Sequence, residues 1–385
     1  MNANKEGINK VEIKTNALLM KATTNENGVY QLKSVLPGQN ITLVPDKKDD
    51  PLNGISTIDL LIIERHIKGL TMITDPFQLI AADINRSGSV TITDLIELRK
   101  MILGTITNFS NNKDWIFIPE SFKFNDPLSP WTYPETISYN PVTNSLSDVN
   151  FIGVKVGDVN NSAIINAHEL ESRHFIRSLE LVHAISEHPQ FDLHSFYLPK
   201  TVTGARAFQL EINVNPATAL SFQKGDLLQE SNGLFSSMTS KTLKLIWTNP
   251  VGMDLISQIP LFTLKTIPST TKADFTLASE SFIFNDLETY DIKLNPPSHT
   301  FTPSLSVYPN PSHSIVNLRI YINDLQTEKI SLTNLNGQKL DHLIPPLNQG
   351  WNNISLNKND LGGTGQFFFY IIGPRNVKTL KFIVL

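Results

Sequence analysis

Apolar and polar positions alternate in GVYQLKSVLPGQNITLVP, and the alternation breaks at Pro37-Gly38. A period of two around a Pro-Gly break predicts two strands joined by a turn. Beyond residue 50 the period changes. DLLIIERHIKG from Asp59 puts Leu60, Ile63 and Ile67 on one stripe, and DLIELRKMILG from Asp94 does the same with Leu95, Leu98 and Ile102. Spacing of i, i+3, i+7 predicts half-buried helices, and Gly69 and Gly104 can each supply a left-handed C-terminal cap. The two segments start 35 residues apart (94 − 59), which makes them an internal repeat. A third, looser copy is expected from Asp148, with Val149, Ile152 and Val156 on its stripe. The aromatic and proline-rich stretch between the copies is expected to be extended and packed, with Trp115 and Phe117 as core anchors. From about residue 172 to 294 short alternating runs return, among them RSLELVHAI, ARAFQLEINV and KTLKLIWTN, and predict a β-sandwich. NPPSHTFTPS reads as a linker. Leu305 to Leu385 then reads as one small sandwich, with turn signals at Asn336-Gly337, Gly350 and Gly362-Gly363.

Composition narrows the function classes. A chain of 385 residues holds several modules. Its net charge of −4 and 18% charged residues give no basic surface for a phosphate backbone, so nucleic acid is excluded as a partner. Without cysteine there are no disulfides, thiolate metal sites or cysteine nucleophiles. The first residues lack the pattern of a secretory signal, and no run of about 18 apolar residues marks a membrane span. The protein is thus expected to be cytoplasmic or to lack its true beginning.

The stretch ADINRSGSVTITDL carries the most specific chemistry. A calcium loop needs oxygen ligands at positions 1, 3, 5, 7, 9 and 12, with glycine at 6. Counted from Asp83, these are Asp83, Asn85, Ser87, the Ser89 carbonyl, Thr91 and Asp94, with Gly88 at the turn. The bland alternative is a turn followed by a helix cap, which favours the same residue types. Counting back from Asp59 gives a second, poorer site of Asp50, Gly54, Ser56 and Asp59, with Lys48 at position 1 and Leu52 at position 5. A third and weakest candidate is Asp158, Asn160 and Ser162, where Ala163 replaces the glycine.

The loop, the Asp-Leu helix start, the Ile-Leu-Gly end and the duplication resemble a type I dockerin over residues 48–162. That resemblance implies Ca2+ as cofactor and a cohesin-like β-sandwich as partner, met by Glu64, Arg65, Arg99 and Lys100. The run VTGARAFQLEINVNPATALSFQKGDLL in the 163–298 segment is in turn similar to a cohesin-like module, which could be the partner in cis or in trans. TTNENGVYQLKSVLPGQNITLVP resembles the last strands of a carboxypeptidase-regulatory-like or transthyretin-like sandwich, making 1–47 a partial domain. After a 299–304 linker, residues 305–385 resemble the type A sorting domain of the type IX secretion system. The marks are Tyr308-Pro309-Asn310-Pro311, the Asn336-Gly337 turn in a Leu-x-Gly-Gln context, and a closing aromatic strand. This implies export to the cell surface or outside by the type IX machinery. Such a substrate also needs a signal peptide, so a fragment is expected.

Histidines are scattered, and no His-Glu-x-x-His, Gly-x-Ser-x-Gly or phosphate-binding loop occurs. Glu211, Asp226, Asp254 and Asp286 read as surface carboxylates. The expected fold class is mainly β and multidomain, with sandwiches plus a small helical calcium module. The expected function is a non-catalytic, surface-attached modular protein. The alternatives are the accessory tail of a polysaccharide-degrading enzyme, or an adhesin.

Overall fold

The computed structural model describes residues 1–16, 20–48, 51–165, 177–188, 191–215, 219–225, 228, 233–239, 241–257, 259–266, 274–278, 281–295, 306–308, 310–322, 329–348, 350–372 and 377–385. Asp50, Asp226, Pro309 and the 299–304 linker lie outside the described residues.

The first 165 residues contain strands β1 (Glu12–Thr15), β2 (Lys21–Thr23) and β3 (Ile41–Asp46) and helices α1 (Thr57–Ile67), α2 (Pro76–Ala82) and α3 (Ile92–Ile102). Strands β4 (Trp115–Pro119), β5 (Ile137–Tyr139) and β6 (Phe151–Lys155) follow. One antiparallel sheet has the order β2-β1-β3-β5, and β4 pairs with β6. Ile13, Ile41 and Leu43 from the first sheet bury against Trp115, Phe117 and Phe151 from the second, so both share one core. Trp115 and Phe117 are 3% and 4% exposed, as the sequence predicts.

Two expected elements differ. Residues 29–36 form no strand: Gly28 and Ser34 adopt φ of +72° and +66°, and Val29 and Leu36 point largely to solvent. The helix expected from Asp148 is instead β6. Asp148 takes a left-handed φ of +58°, and the backbone of 151–155 completes the hydrogen-bond ladder of the fully buried β4. On the other side the terminal amine of Met1 donates to the Phe151 carbonyl at 2.9 Å. A short apolar run cannot be assigned by periodicity alone, and here an available strand edge decides.

Helices α1 and α3 form as the repeat predicts. Each starts with a reciprocal cap: Ser56 with Asp59, and Thr91 with Asp94. Such boxes satisfy two orphan amides and contribute about 1 kcal/mol. Leu60, Ile63, Leu95, Leu98 and Ile102 are buried in a shared core, whereas Ile67 at the helix end is 38% exposed. Gly69 and Gly104 take φ of +67° and +71°, the left-handed conformation their position requires.

The sandwich comprises β7 (Arg177–His188), β8 (Phe191–Tyr197), β9 (Val202–Asn215), β10 (Ala219–Lys224), β11 (Leu234–Met238), β12 (Thr242–Leu255), β13 (Phe262–Thr266), β14 (Asp274–Leu277), β15 (Phe282–Asn285) and β16 (Thr289–Leu294). Strand β7 joins its layers. Residues 177–181 run parallel to β16, while 182–188 pair antiparallel with β8. One layer is β10-β13-β8-β7 and the other β7-β16-β15-β9-β12-β11, with β14 also on β9. Leu181, Phe196, Phe208, Trp247 and Phe262 fill the space between.

The last unit holds β17 (Ser306–Tyr308), β18 (Ile315–Ile322), β19 (Lys329–Asn334), β20 (Gly350–Asn357), β21 (Gly365–Ile372) and β22 (Val377–Val384). Two sheets, β17-β18-β20 and β19-β21-β22, face each other over Leu318, Ile320, Phe369 and Phe382. The described residues are therefore mainly β, with the α-helices α1 to α3 gathered in residues 57–102.

Candidate calcium loops and the docking face

In the 83–94 loop, Asp83 sits at the C-terminal end of α2 and Asp94 in the first turn of α3. Asp83 Oδ1 accepts the Ser87 amide at 2.8 Å and Oδ2 the Gly88 amide at 2.8 Å. Asp94 Oδ1 accepts the Asn85 amide at 3.0 Å, and Oδ2 the Thr91 amide and hydroxyl at 2.9 and 3.0 Å. The Ser87 hydroxyl donates to the Ser89 carbonyl at 3.3 Å. Two residues carry the turn, Arg86 at φ +56° and Gly88 at φ +80°. The two carboxylates are 6% and 0% exposed. Burial raises the Asp83 carboxyl above its ordinary range, the Ser87 and Gly88 amides oppose that shift, and the Asp94 charge adds to it.

The second and third candidate sites come together as one. Asp158 Oδ1 accepts the Ser162 amide at 2.9 Å and Oδ2 the Ala163 amide at 2.8 Å. Asp59 Oδ1 accepts the Val159 and Asn160 amides at 2.8 and 3.2 Å, and Oδ2 the Ser56 amide and hydroxyl at 2.8 and 3.1 Å. The Ser162 hydroxyl donates to the Gly54 carbonyl at 2.9 Å. Position by position, Asp158, Asn160, Ser162, Gly54, Ser56 and Asp59 repeat the contacts of Asp83, Asn85, Ser87, Ser89, Thr91 and Asp94. Asn161 at φ +57° even repeats the left-handed Arg86.

The loop is thus split. Its first half lies about a hundred residues after its second, and Asn53 splices them by bonding both the amide and the carbonyl of Ile164, at 2.9 and 2.8 Å. This explains Ala163: the chain leaves the loop at that point instead of turning onward, so no glycine is needed. It also relieves Lys48 and Leu52 of ligand positions; Leu52 packs on the helical core instead. The counted-back site lacks oxygens at positions 1 and 5; in the structure Asp158, Asn160 and Ser162, from the end of the module, stand at positions 1, 3 and 5, so Asn160 takes the place counted to Asp50. A comparison of DINRS with DVNNS contained that signal, but only as a half-repeat out of order.

The composite loop fits a divalent cation. Asp59 and Asp158 are 0% and 5% exposed, burial pushes both carboxyls up, and the Asp158 charge raises Asp59 further. The Asn160 Oδ1 atom, at position 3 of the loop, is buried without a hydrogen-bond partner among the described residues. Among the described residues no three His, Cys, Asp or Glu side chains cluster. Two carboxylates with amide, hydroxyl and carbonyl oxygens make a hard, all-oxygen donor set, which suits calcium rather than zinc.

Three of the four residues expected to form a docking face, Glu64, Arg65 and Arg99, meet the sandwich of the same chain. Glu64 Oε2 accepts the Thr248 hydroxyl at 2.7 Å, and Arg65 lies 3.3 Å from Asp286. The Arg99 guanidinium sits 3.5 Å over the Phe235 ring. At the helix start the Thr57 amide and hydroxyl both donate to Gln209 Oε1, at 3.1 and 2.9 Å. Leu61, one turn from Thr57 and from Glu64, is buried on the same face. On β12, Leu245 and Trp247 point into the sandwich, so Ile246 points out and is buried in the helical core. Lys100 is exposed.

In the last unit the Asn310–Pro311 peptide is cis, and Asn310 Oδ1 accepts the Ile383 amide at 2.9 Å, tying the Pro-rich start to the final strand. Tyr308 ends β17. Gly337, at φ +77°, closes a turn after β19, whose far side makes a single bridge, Thr333 to Lys339, rather than a strand. Residues 306–385 match the secretion system C-terminal sorting domain family. That sorting domain makes the protein a type IX export substrate, destined for the cell surface or the outside. Among the described residues no helix is long and apolar enough to cross a membrane. No curated protein matches the chain. Similar solved structures include the solution structure of CaCohA2 from Clostridium acetobutylicum, 11% identical over 33% of this chain and 93% of that one, TM-score 0.26. Another is the non-cellulosomal cohesin from the hyperthermophilic archaeon Archaeoglobus fulgidus, 12% identical over 31% of this chain and 91% of that one, TM-score 0.24. Likeness this slight carries no argument about what the sandwich binds.

Proposed function

We propose that the protein is a non-catalytic, exported modular protein in which a calcium-ordered, dockerin-like unit clasps its own β-sandwich, with the sorting domain delivering the pair to the surface. The observation that carries this reading is the repetition of one carboxylate–amide pattern in two loops, one contiguous and one spliced from residues 54–59 and 158–163. Each loop ends in the aspartate that caps a helix, and both helices contribute to the face on the sandwich. Calcium, when bound, would supply positive charge between carboxylates that burial otherwise penalises. Asp83, Asn85, Ser87, Ser89, Thr91 and Asp94 would hold one ion, and Asp158, Asn160, Ser162, Gly54, Ser56 and Asp59 the other. The protein's own backbone amides orient the carboxylate oxygens. A sandwich already seated on Thr57, Glu64, Arg65 and Arg99 makes the cis partner the natural one. A non-catalytic role is supported by His183 and His194, which lie in an aromatic core rather than at a cleft.

The test is calcium titration of the whole chain by calorimetry, with melting in calcium and in chelator. Two saturable sites are expected, and calcium at about 100 times Kd should add about 2.7 kcal/mol per site. Asp83→Ala should remove one site. Asp59→Asn and Asp158→Asn should each remove the same other site, despite lying 99 positions apart (158 − 59). Absence of calcium binding would leave both loops as turns and caps.

A further inference from the structure

The two loops repeat each other as far as the helix cap, and there they part. Thr57 lies between Ser56 and Asp59, the residues at positions 9 and 12 of the composite loop. It is 0% exposed, and its amide and hydroxyl both donate to Gln209 Oε1 of the sandwich, at 3.1 and 2.9 Å. Ile92 stands at the matching place on α3 and is 56% exposed. The contiguous loop takes its outer support from inside its own module, where Asn112 Nδ2 donates to the Asp83 and Ile84 carbonyls at 3.1 and 3.2 Å. Its helix touches the sandwich only in the last turn, through Arg99 over Phe235.

We propose that Gln209 is a positioning residue for the composite calcium site, so that the sandwich completes that site and the helical unit alone does not. The inference rests on the calcium reading of the loops. The first amides of a helix have no acceptor within it. In α1 the Ser56 hydroxyl accepts the Ile58 amide at 3.3 Å and Asp59 Oδ2 accepts the Ser56 amide at 2.8 Å, which leaves the Thr57 amide to the sandwich. Holding Thr57 fixes the backbone between two ligand residues that are both 0% exposed, and so fixes where the Ser56 hydroxyl and the Asp59 carboxylate face. Gln209 is well placed to do so. It lies on β9, in register with Ile246 of β12 on one side and Phe282 of β15 on the other. Its neighbours Phe208 and Leu210 are buried in the sandwich core, so its own side chain points outward to α1. A group on a strand paired on both edges is held more closely than one on a loop. Coupling of this kind is reciprocal: the affinity that the docked sandwich adds to the composite site, an ion there adds to the docking of α1. The contiguous site takes no part in that exchange.

The experiment is calorimetric calcium titration of the whole chain in two backgrounds, Asp83→Ala, which leaves the composite site, and Asp158→Asn, which leaves the contiguous one. In the first, Gln209→Ala should weaken binding by about fivefold or more, the lower end of typical coupling between linked sites. Thr57→Val keeps the amide contact and should weaken it less. Gln209→Glu keeps an acceptor in the same place and should retain the affinity, a rescue that lost packing would not show. In the second background all three variants should bind as the background does. Melting of each variant above the titration temperature establishes that it is folded, and Thr57→Val with Gln209→Glu carry the test should Gln209→Ala not fold. Unchanged composite affinity in Gln209→Ala, equal weakening at both sites, or the same loss in Gln209→Glu as in Gln209→Ala overturns this proposal and leaves the calcium reading standing. Failure of the parent to bind calcium overturns both.

Discussion

His194 shows how a residue that looks chemical can be structural. Its Nδ1 lies 2.9 Å from His183 Nε2 and its Nε2 lies 2.9 Å from the Thr266 hydroxyl, all three residues being nearly solvent-free. The His183 ring stacks on Phe196 at 4.8 Å. Burial lowers the His194 pKa to about 4, while the unfolded chain titrates near 6.5. The unfolded state therefore binds more protons between those values, and stability must fall as pH drops through that window. The contribution is complete above about pH 6.5, and at most about 3 kcal/mol is lost by pH 4. Melting temperature measured from pH 7 to 4 should decline accordingly. In His194→Asn the decline should flatten, whatever the variant's absolute stability. The sequence places His194 in a strand, but not that its ring meets His183 and Thr266 from the neighbouring strands β7 and β13.

At the scale of the element, the spliced loop makes predictions that a contiguous one would not. Gly54 takes φ +78°, and a Cβ there would meet the Ala163 backbone and Asp158 Oδ2, each at 2.7 Å. Gly54→Ala should therefore destabilise the protein by more than the roughly 1 kcal/mol of an ordinary glycine substitution and weaken calcium binding at the proposed composite site. Calorimetry and thermal melts would register both effects, and the 83–94 site should keep its affinity. Helices α1 and α3 were legible because their period, caps and terminal glycines agree. The 148–156 segment was not. Its apolar spacing permits helix or strand, and only the buried edge of β4 selects the strand.

For the whole molecule, the consequence lies in the contact between helical unit and sandwich. Ile246 belongs to β12 but fills the helical core, so the two units should melt together. Calorimetric scans of the intact chain should show them in one transition. Ile246→Asp buries an unpaired charge at that junction, and should lower that transition and split it in two. Glu64→Ala is the milder change. Together with Thr248→Ala it forms a double-mutant cycle whose coupling should be on the order of 1.5–3 kcal/mol, the range for a hydrogen bond to a charged group. The resemblance to a dockerin singled out Glu64, Arg65, Arg99 and Lys100 and left open a partner in cis or in trans; that the first three meet the sandwich of the same chain while Lys100 stays exposed is a matter of tertiary structure.

Local rules therefore fixed a good deal of this protein. Period, caps and turn residues specify the helical repeat, the sandwich strands and the 83–94 loop, because each depends on interactions within a dozen residues. The sorting domain was equally legible, through an ordered series of short motifs. Tertiary structure alone decided the rest. It joined residues 158–163 to 54–59 into one hydrogen-bonded loop, placed Ile246 across a domain boundary, and set Trp131 and Tyr133 beside Asp83. Each of these is a meeting of distant segments, governed by which edges and apolar faces remain unpaired after the local elements have formed, and nearest-neighbour patterning does not encode that.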